Sequence, residues 1–333
     1  MTKLNQLINI LRGNRKIFIQ THNSPDPDAI ATAFALKKLL DRKGIDATIC
    51  YKGEIEKYST LRMIELLNID ITFIESIDYM SKDDYIILVD SQKYNSNITD
   101  FIGDEVACID HHPVFVNNKY KFKDIRDNIG ACSSILASYF IENNIGIDED
   151  TATALLYGIK MDTLDLSRGV SDLDIDMFYY LYKRADKKKI SKIQKNTLEF
   201  SDLNAYGNAI QNIKIYRNIG FVNIGFDCPD VLLACISDFI LSLKEIDFVV
   251  VYCEKENKLK FSVRNESENL DAGKIINEAI SGYGNGGGHK TMAGGVIPKK
   301  NMCHIIGEVD TFIQYKFLET IDKYESDEKK DII

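Results

Sequence analysis

Residues 17–29 read Ile17-Phe18-Ile19-Gln20-Thr21-His22-Asn23-Ser24-Pro25-Asp26-Pro27-Asp28-Ala29. Ile17-Phe18-Ile19 reads as a buried strand. His22-x3-Asp26-x-Asp28 follows it directly. From Ala29 to Arg42 the apolar positions Ile30, Phe34, Leu36, Leu39 and Leu40 read as a helix. A strand, a polar loop rich in His and Asp, and then a helix is the opening unit of an α/β fold. In such folds ligands bind beyond the carboxyl ends of the strands.

Working outward, Ala47 to Tyr51, Ile71 to Ile74, Tyr85 to Val89 and Val106 to Ile109 read as further strands. Glu54 to Leu67, Ser133 to Asn143 and Thr151 to Lys160 read as helices. Strands alternating with helices predict a doubly wound, mostly parallel sheet. A lysine-rich stretch, with Lys187-Lys188-Lys189, Lys192 and Lys195, reads as a helical or extended linker with a solvated face. Beyond it, strands at Phe221 to Ile224, Phe248 to Cys253, Leu259 to Val263 and Ala293 to Ile297, with helices at Val231 to Leu243 and Ala272 to Ile280, predict a smaller α/β domain. The expected division is 1–185, a linker over 186–205, and 206–333, with a frayed charged tail from Glu325 to Lys330.

Composition bounds the function. A chain of 333 residues suits two domains. Its 45% hydrophobic and 27% charged residues are those of a soluble globular protein, and no apolar run reaches the length of a membrane span. Met1 to Ile10 lacks a signal-peptide core, so a cytoplasmic location is expected. The seven cysteines form no CxxC pair, which argues against structural zinc and a disulfide framework; Cys108 and Cys253 read as buried thiols. A net charge of −9 disfavours long duplex nucleic acid, but a short anion held by metals and a few local cations is compatible with it.

Four of the five histidines lie in short motifs with acids or glycines: His22, the pair His111-His112 after Asp110, and His289 after Gly286-Gly287-Gly288. Three acidic motifs end strands: His22, Asp26 and Asp28; Asp90 after Ile86-Ile87-Leu88-Val89; and Asp110 after Val106-Ala107-Cys108-Ile109. Dispersed in sequence, they would converge in space. Imidazoles mixed with carboxylates are ligands for divalent transition metals. Each motif also has a plainer reading. Asp28 would cap the helix that follows, Asp90 a turn, and Asp162-Thr163 a loop. The glycine run fits neither a Rossmann fingerprint nor a P-loop, since it follows a helix and ends in His289. It reads as a flexible loop or as an anion cradle of backbone N–H groups, with His289 and Arg264 as directed donors. Lys290 and Arg168 would widen that positive patch.

Together these pieces resemble the DHH phosphoesterase superfamily, which includes RecJ-type exonucleases, family II inorganic pyrophosphatases, exopolyphosphatases and nano-RNA/pAp phosphatases. The matching residues are His22, Asp26 and Asp28; Asp90; Asp110-His111-His112; and Asp162, with Ala131-Cys132-Ser133-Ser134 as the small-residue turn before a helix. The second half resembles the DHHA1 domain through Phe261-Ser262-Val263-Arg264, Gly286-Gly287-Gly288-His289 and Ala293-Gly294-Gly295. Two departures stand out: Asp162-Thr163 continues as Leu164-Asp165-Leu166 rather than with Gly, and residue 265 is Asn rather than Ser.

The resemblance implies two Mn²⁺ ions, with Mg²⁺ or Co²⁺ as alternatives. One would be held by His22, Asp26 and Asp90, the other by Asp28, Asp90, His111 and Asp162. His112 would face the substrate phosphate. Asp90, Asp110 and His112 would be the catalytic group; Arg264, Gly286, Gly287, Gly288, His289, Arg168 and His112 would bind substrate in a cleft between two domains. The implied substrates are short oligoribonucleotides, linear dinucleotides or 3′-phosphoadenosine 5′-phosphate, and a homodimer is compatible with this reading. Polyphosphate or pyrophosphate hydrolysis, a RecJ-like exonuclease and a nucleotide sensor without turnover are the competing readings.

Overall fold

The β–α alternation is present in the computed structural model, which describes residues 1–328 apart from 14, 56, 196, 197, 256 and 306. Contacts divide the chain into two units, Met1–Thr197 and Leu198–Ile333. The first contains α1 (Lys3–Leu11), β1 (Ile17–Gln20), α2 (Pro27–Asp41), β2 (Thr48–Tyr51), α3 (Tyr58–Leu66), β3 (Thr72–Phe73), β4 (Tyr85–Val89), β5 (Asp104–Asp110), β6 (Phe122–Ile125), α4 (Cys132–Glu142), α5 (Glu149–Asp162), α6 (Asp172–Tyr182) and α7 (Lys187–Gln194).

Its strands form one sheet in the order β3-β2-β1-β4-β5-β6, and every neighbouring pair is parallel. The chain winds outward from β1 through β2 and β3, then returns to β4 on β1's other side. The switch point therefore lies between β1 and β4, where open α/β sheets bind ligands. Alternate strand residues enter opposite faces. Ile17, Ile19, Ile87, Val89 and Ile109 join the main core with apolar residues of α1, α2, α4 and α5. Phe18, Ile86, Leu88 and Cys108 enter a second core, closed by Ile77, Met80, Ile98, Phe101 and Tyr120 from the connections rather than by α-helices.

Several boundaries differ from expectation. The second helix starts at Pro27, not Ala29, because Asp26 is its N-cap and Pro27 is preorganised for the first helical position. The following helix starts at Tyr58 rather than Glu54. The lysine-rich stretch takes the helical of the two expected forms. It forms α7, capped by Asp186, and buries Ile190 and Ile193 in the first unit's core. Residues 196 and 197 of the expected linker lie outside the described residues, as do 329 and 330 of the charged tail.

The second unit contains α8 (Leu203–Asn212), β7 (Lys214–Tyr216), β8 (Ile219–Asn223), α9 (Asp230–Leu241), β9 (Phe248–Lys255), β10 (Lys258–Asn265), α10 (Ala272–Ala279), β11 (Asn285–Gly288), β12 (Met292–Pro298), α11 (Lys299–Met302) and α12 (Val309–Glu328). The sheet order is β11-β12-β10-β9-β8-β7, antiparallel except for β8 against β9. The glycine run is thus an edge strand, not a loop. A Cβ on Gly286 would sit 2.9 Å from the Ile276 side chain, and one on Gly273 would sit 2.4 Å from the Gly288 carbonyl oxygen. The glycines let α10 lie directly on the strand. Cys108 and Cys253 are buried free thiols, and no helix among the described residues is long and apolar enough to cross a membrane.

Candidate functional site

The carboxyl ends of β1, β4 and β5 bring His22, Asp90 and Asp110-His111-His112 together, and α2 and α5 add Asp26, Asp28 and Asp162. Three overlapping sets have potential ligand atoms within 4.8 Å of one another: His22, Asp26 and Asp90; Asp28, His111 and Asp162; and Asp90, His111 and His112. Asp90 is shared by two of them. Its backbone is left-handed (φ +56), a turn that aims the carboxylate back across the strand ends and that Asp tolerates better than most residues.

The imidazoles are set up as ligands. His111 Nδ1 is 3.0 Å from the Ile129 carbonyl and His22 Nδ1 is 2.9 Å from the Asn23 carbonyl. Those contacts place the proton on Nδ1 and leave each Nε2 lone pair for an ion. His22 Nε2 is 3.6 Å from Asp90; His111 Nε2 is 3.3 Å from Asp90 and 3.0 Å from Asp162. Asp90 Oδ1 and His111 Nε2 are buried and lack hydrogen-bond partners. A buried polar atom without a partner is costly, and a divalent cation would satisfy both.

The helix begins between Asp26 and Asp28, so the two carboxylates take different partners. Asp26 Oδ1 caps α2 by accepting from the Asp28 and Ala29 N–H groups. Asp28 accepts instead from the N–H groups of Cys132 (2.7 Å) and Ser133 (3.0 Å) at the start of α4. That is the role of the small-residue turn: a helix N-terminus that holds a buried carboxylate. Burial, then the neighbouring Asp90 and Asp162, pushes Asp28 well above the usual carboxylate range. Burial also raises Asp90, to about 6, although His111 opposes it. Burial would lower His111, but Asp162 and Asp90 outweigh it and bring it to about 12. The same balance, with Asp26 as the main partner, brings His22 to about 9. The cluster draws positive charge, either as protons on these imidazoles or as metal ions in their place.

His112 differs from His111. Its side chain is 45% exposed, so it can meet a substrate, and its Nδ1 lies 2.9 Å from Asp110 Oδ1. Asp110 is fully buried and also accepts from the His111 N–H (2.8 Å) and Gln92 Nε2 (2.7 Å). The hydrogen bond to Asp110 raises the His112 pKa. Arg168 donates to the Asp162 carbonyl (2.9 Å) across a turn in which Leu164, Asp165 and Leu166 are all left-handed. The departure after Asp162 therefore carries Arg168 back beside that acid.

Three supporting residues escaped the sequence reading. Gln92 lies two positions beyond Asp90. Asp174 is buried and binds Gly130 N–H and Ser134 Oγ; its signal was the helix-start pattern Ser171-x-x-Asp174. Gly158 of α5 packs against the site, where a Cβ would meet Ser133 Oγ at 2.3 Å and Asp28 Oδ1 at 2.9 Å. Gly158→Ala is expected to displace Asp28, weaken divalent-metal binding and lower any metal-dependent kcat/KM about 10²-fold. Gly146→Ala, with nothing within 4 Å, serves as the neutral control. Equal Mn²⁺ titration curves for the two variants would refute the effect.

Arg264, Gly286, Gly287, Gly288 and His289 belong to the second unit. Arg264 is cross-strand to Met292, and Met292's carbonyl accepts from the His289 N–H (2.7 Å). Arg264 lines a groove of about 300 Å³ with Lys260, Ser262 and Ala293-Gly294-Gly295. Both cations of this groove are paired with acids of α9, Arg264 with Asp238 and Lys260 with Asp230. Asn265 is buried and donates to the Leu270 and Lys290 carbonyls, so the second departure is a structural clamp.

Fold and site together define a class: α/β proteins that gather imidazoles and carboxylates for divalent metals at the switch point of a parallel sheet. Within it, the chain carries two family domains: residues 16–159 match the DHH family N-terminal domain and residues 219–315 the DHHA1 domain. An uncharacterized protein of Methanocaldococcus jannaschii is 33% identical over 85% of this chain and 58% of its own length. A probable manganese-dependent inorganic pyrophosphatase of Streptococcus thermophilus is 28% identical over 45% of this chain and 48% of its own length. The chain thus spans about half the length of these two relatives. The fold is shared with the crystal structure of an exopolyphosphatase-related protein from Bacteroides fragilis, with a TM-score of 0.77, 97% of this chain and 96% of that one covered, and 19% identity.

Proposed function

We propose that the protein is a metal-dependent phosphoesterase whose substrates are small phosphorylated nucleotides: very short oligoribonucleotides, linear dinucleotides or 3′-phosphoadenosine 5′-phosphate. The observation that carries this reading is the shared, buried Asp90 between two imidazole–carboxylate sets, with Asp90 Oδ1 and His111 Nε2 lacking partners. Four carboxylates, Asp26, Asp28, Asp90 and Asp162, with neutral His22 and His111, sum to a charge of −4. Two divalent ions would balance it. Donors without thiolate suit Mn²⁺, and the pyrophosphatase relative is itself described as manganese-dependent.

His22, Asp26 and Asp90 would hold one ion, and Asp28, Asp90, His111 and Asp162 the other. Such a pair clamps a phosphoryl group and supplies a nucleophile at neutral pH. The chain's own groups do the rest. Asp110 orients His112. His112 Nε2, the ring nitrogen away from Asp110, donates a hydrogen bond or a proton to the reacting phosphate or its leaving oxygen. Arg168 adds local positive charge beside Asp162. In the second unit, Arg264 and His289 are proposed as hydrogen-bond donors to phosphate, with the Gly286–Gly288 edge strand beside them.

Chelator-stripped protein is expected to bind two Mn²⁺ per chain by calorimetric titration and to regain turnover with them; one ion or none would contradict the assignment. Arg264→Ala is expected to cost on the order of 2–4 kcal/mol in kcat/KM on 3′-phosphoadenosine 5′-phosphate, because a charge-assisted phosphate contact is lost. It should have little effect on bis-p-nitrophenyl phosphate, which has no second phosphate. An equal loss on both substrates would place Arg264 in the chemical step or in the scaffold.

A further inference from the structure

The rim beside His112 carries an exposed apolar group that the phosphate chemistry does not use. Phe115 is 81% exposed, flanked by Val114 and Val116 at 50% and 44%, and Tyr94 on the neighbouring loop is 62% exposed. Each large side chain left in water forgoes roughly 1.5–3 kcal/mol of burial. The two loops follow adjacent parallel strands, β4 and β5. They are also bonded together. The Lys93 N–H donates to Tyr120 Oη (2.9 Å), and Asn118 Nδ2 donates to the Lys93 carbonyl (3.0 Å). Gln92 Nε2 donates both to Asp110 and to the His112 carbonyl (3.0 Å). The Asn23 N–H donates to the Asn97 carbonyl (2.7 Å), which ties the same rim to the loop of His22.

The aromatic residues are thus carried on a braced wall that is continuous with the site. Tyr94 is left-handed (φ +69), with Lys93 Nζ 5.4 Å from its ring centre. Three residue steps separate Phe115 from His112, so their Cα atoms lie at most about 11 Å apart. A phosphate held at His112 leaves the other end of a nucleotide within reach of this rim. Polyphosphate has no apolar part to cover it, whereas every nucleobase has a π-face to stack on an aromatic ring.

We propose that Phe115, together with Tyr94 of the adjoining loop, is a base-stacking platform, and that the substrates of this site carry a nucleobase next to the reacting phosphate. The inference deepens the proposed function and rests on it. Stacking of this kind tolerates any base, so the platform selects nucleotides over pyrophosphate and polyphosphate without selecting a sequence.

The test compares 3′-phosphoadenosine 5′-phosphate with its abasic counterpart, in which hydrogen replaces adenine. Phe115→Ala is expected to raise KM for the adenine compound about 5- to 150-fold, leave kcat nearly unchanged, and leave the abasic compound unaffected. Tyr94→Ala should act in the same direction. The chain contains no tryptophan, so Phe115→Trp supplies a lone fluorophore that also keeps the ring. Its emission should be quenched by AMP and not by pyrophosphate, and its KM should stay near that of the wild type. Unchanged KM in Phe115→Ala, an equal loss on both compounds, or no quenching by AMP would overturn the platform. If the wild type hydrolyses neither compound with Mn²⁺, the proposed function itself fails, and the quenching measurement still reports on the platform.

Discussion

Asp90→Asn is expected to lower kcat/KM by at least about a thousand-fold with every phosphate substrate and to reduce Mn²⁺ binding. The carboxylate is shared between two ligand sets, so its loss affects both. Asn is the informative replacement, because it keeps the shape and tolerates the left-handed backbone of residue 90. The fold should survive. Asp90 Oδ1 has only its contact with His111 Nε2 (3.3 Å) to lose, and burial outweighs that contact and raises the pKa to about 6, so above that pH the ionised form costs the metal-free fold stability. The thermal midpoint of the stripped variant at pH 8 should therefore equal or exceed that of the wild type. Near-normal Mn²⁺-dependent turnover in Asp90→Asn would contradict a shared ligand.

His112→Ala should cost about 10²–10⁴-fold in kcat, the range of a positioned acid or base. Unlike the loss at Arg264, it should be similar for substrates with and without a second phosphate, because His112 would act at the reacting phosphorus. Asp110→Asn should produce part of the same loss. Its carboxylate fixes the His112 ring, and the buried oxygens also anchor Gln92 and the His111 N–H. The two substitutions combined should cost less than the product of their separate effects, since both work through one imidazole. Losses in His112→Ala confined to substrates with two phosphates would move this residue from the chemistry to binding.

The parallel sheet was legible because Ile17-Phe18-Ile19, Ile86 to Val89 and Val106 to Ile109 are unbroken apolar runs, as strands buried on both faces require. The convergence of His22, Asp90 and His111 followed from their places just beyond those runs. Other features left no such trace. Strand β6 reads Phe122-Lys123-Asp124-Ile125, too polar to stand out. The lysines of α7 masked Ile190 and Ile193, whose burial depends on a partner surface rather than on local pattern. A run of glycines lacks side chains to show alternation, so β11 gave no strand signal; α10 lying against it explains the composition. Gln92 and Gly158 act through contacts distant in sequence, which no single motif encodes.

The most direct measurement is a Mn²⁺-dependent rate panel on one protein preparation: 3′-phosphoadenosine 5′-phosphate, the dinucleotide pApA, a 24-mer RNA, pyrophosphate and polyphosphate, with released phosphate or mononucleotide counted per site. The expected result is rapid turnover of the first two, a steep fall on the 24-mer, which the net charge of −9 also repels, and little on the two substrates without a base. Turnover fastest on pyrophosphate or polyphosphate, or equal rates per end on pApA and the 24-mer, would contradict it.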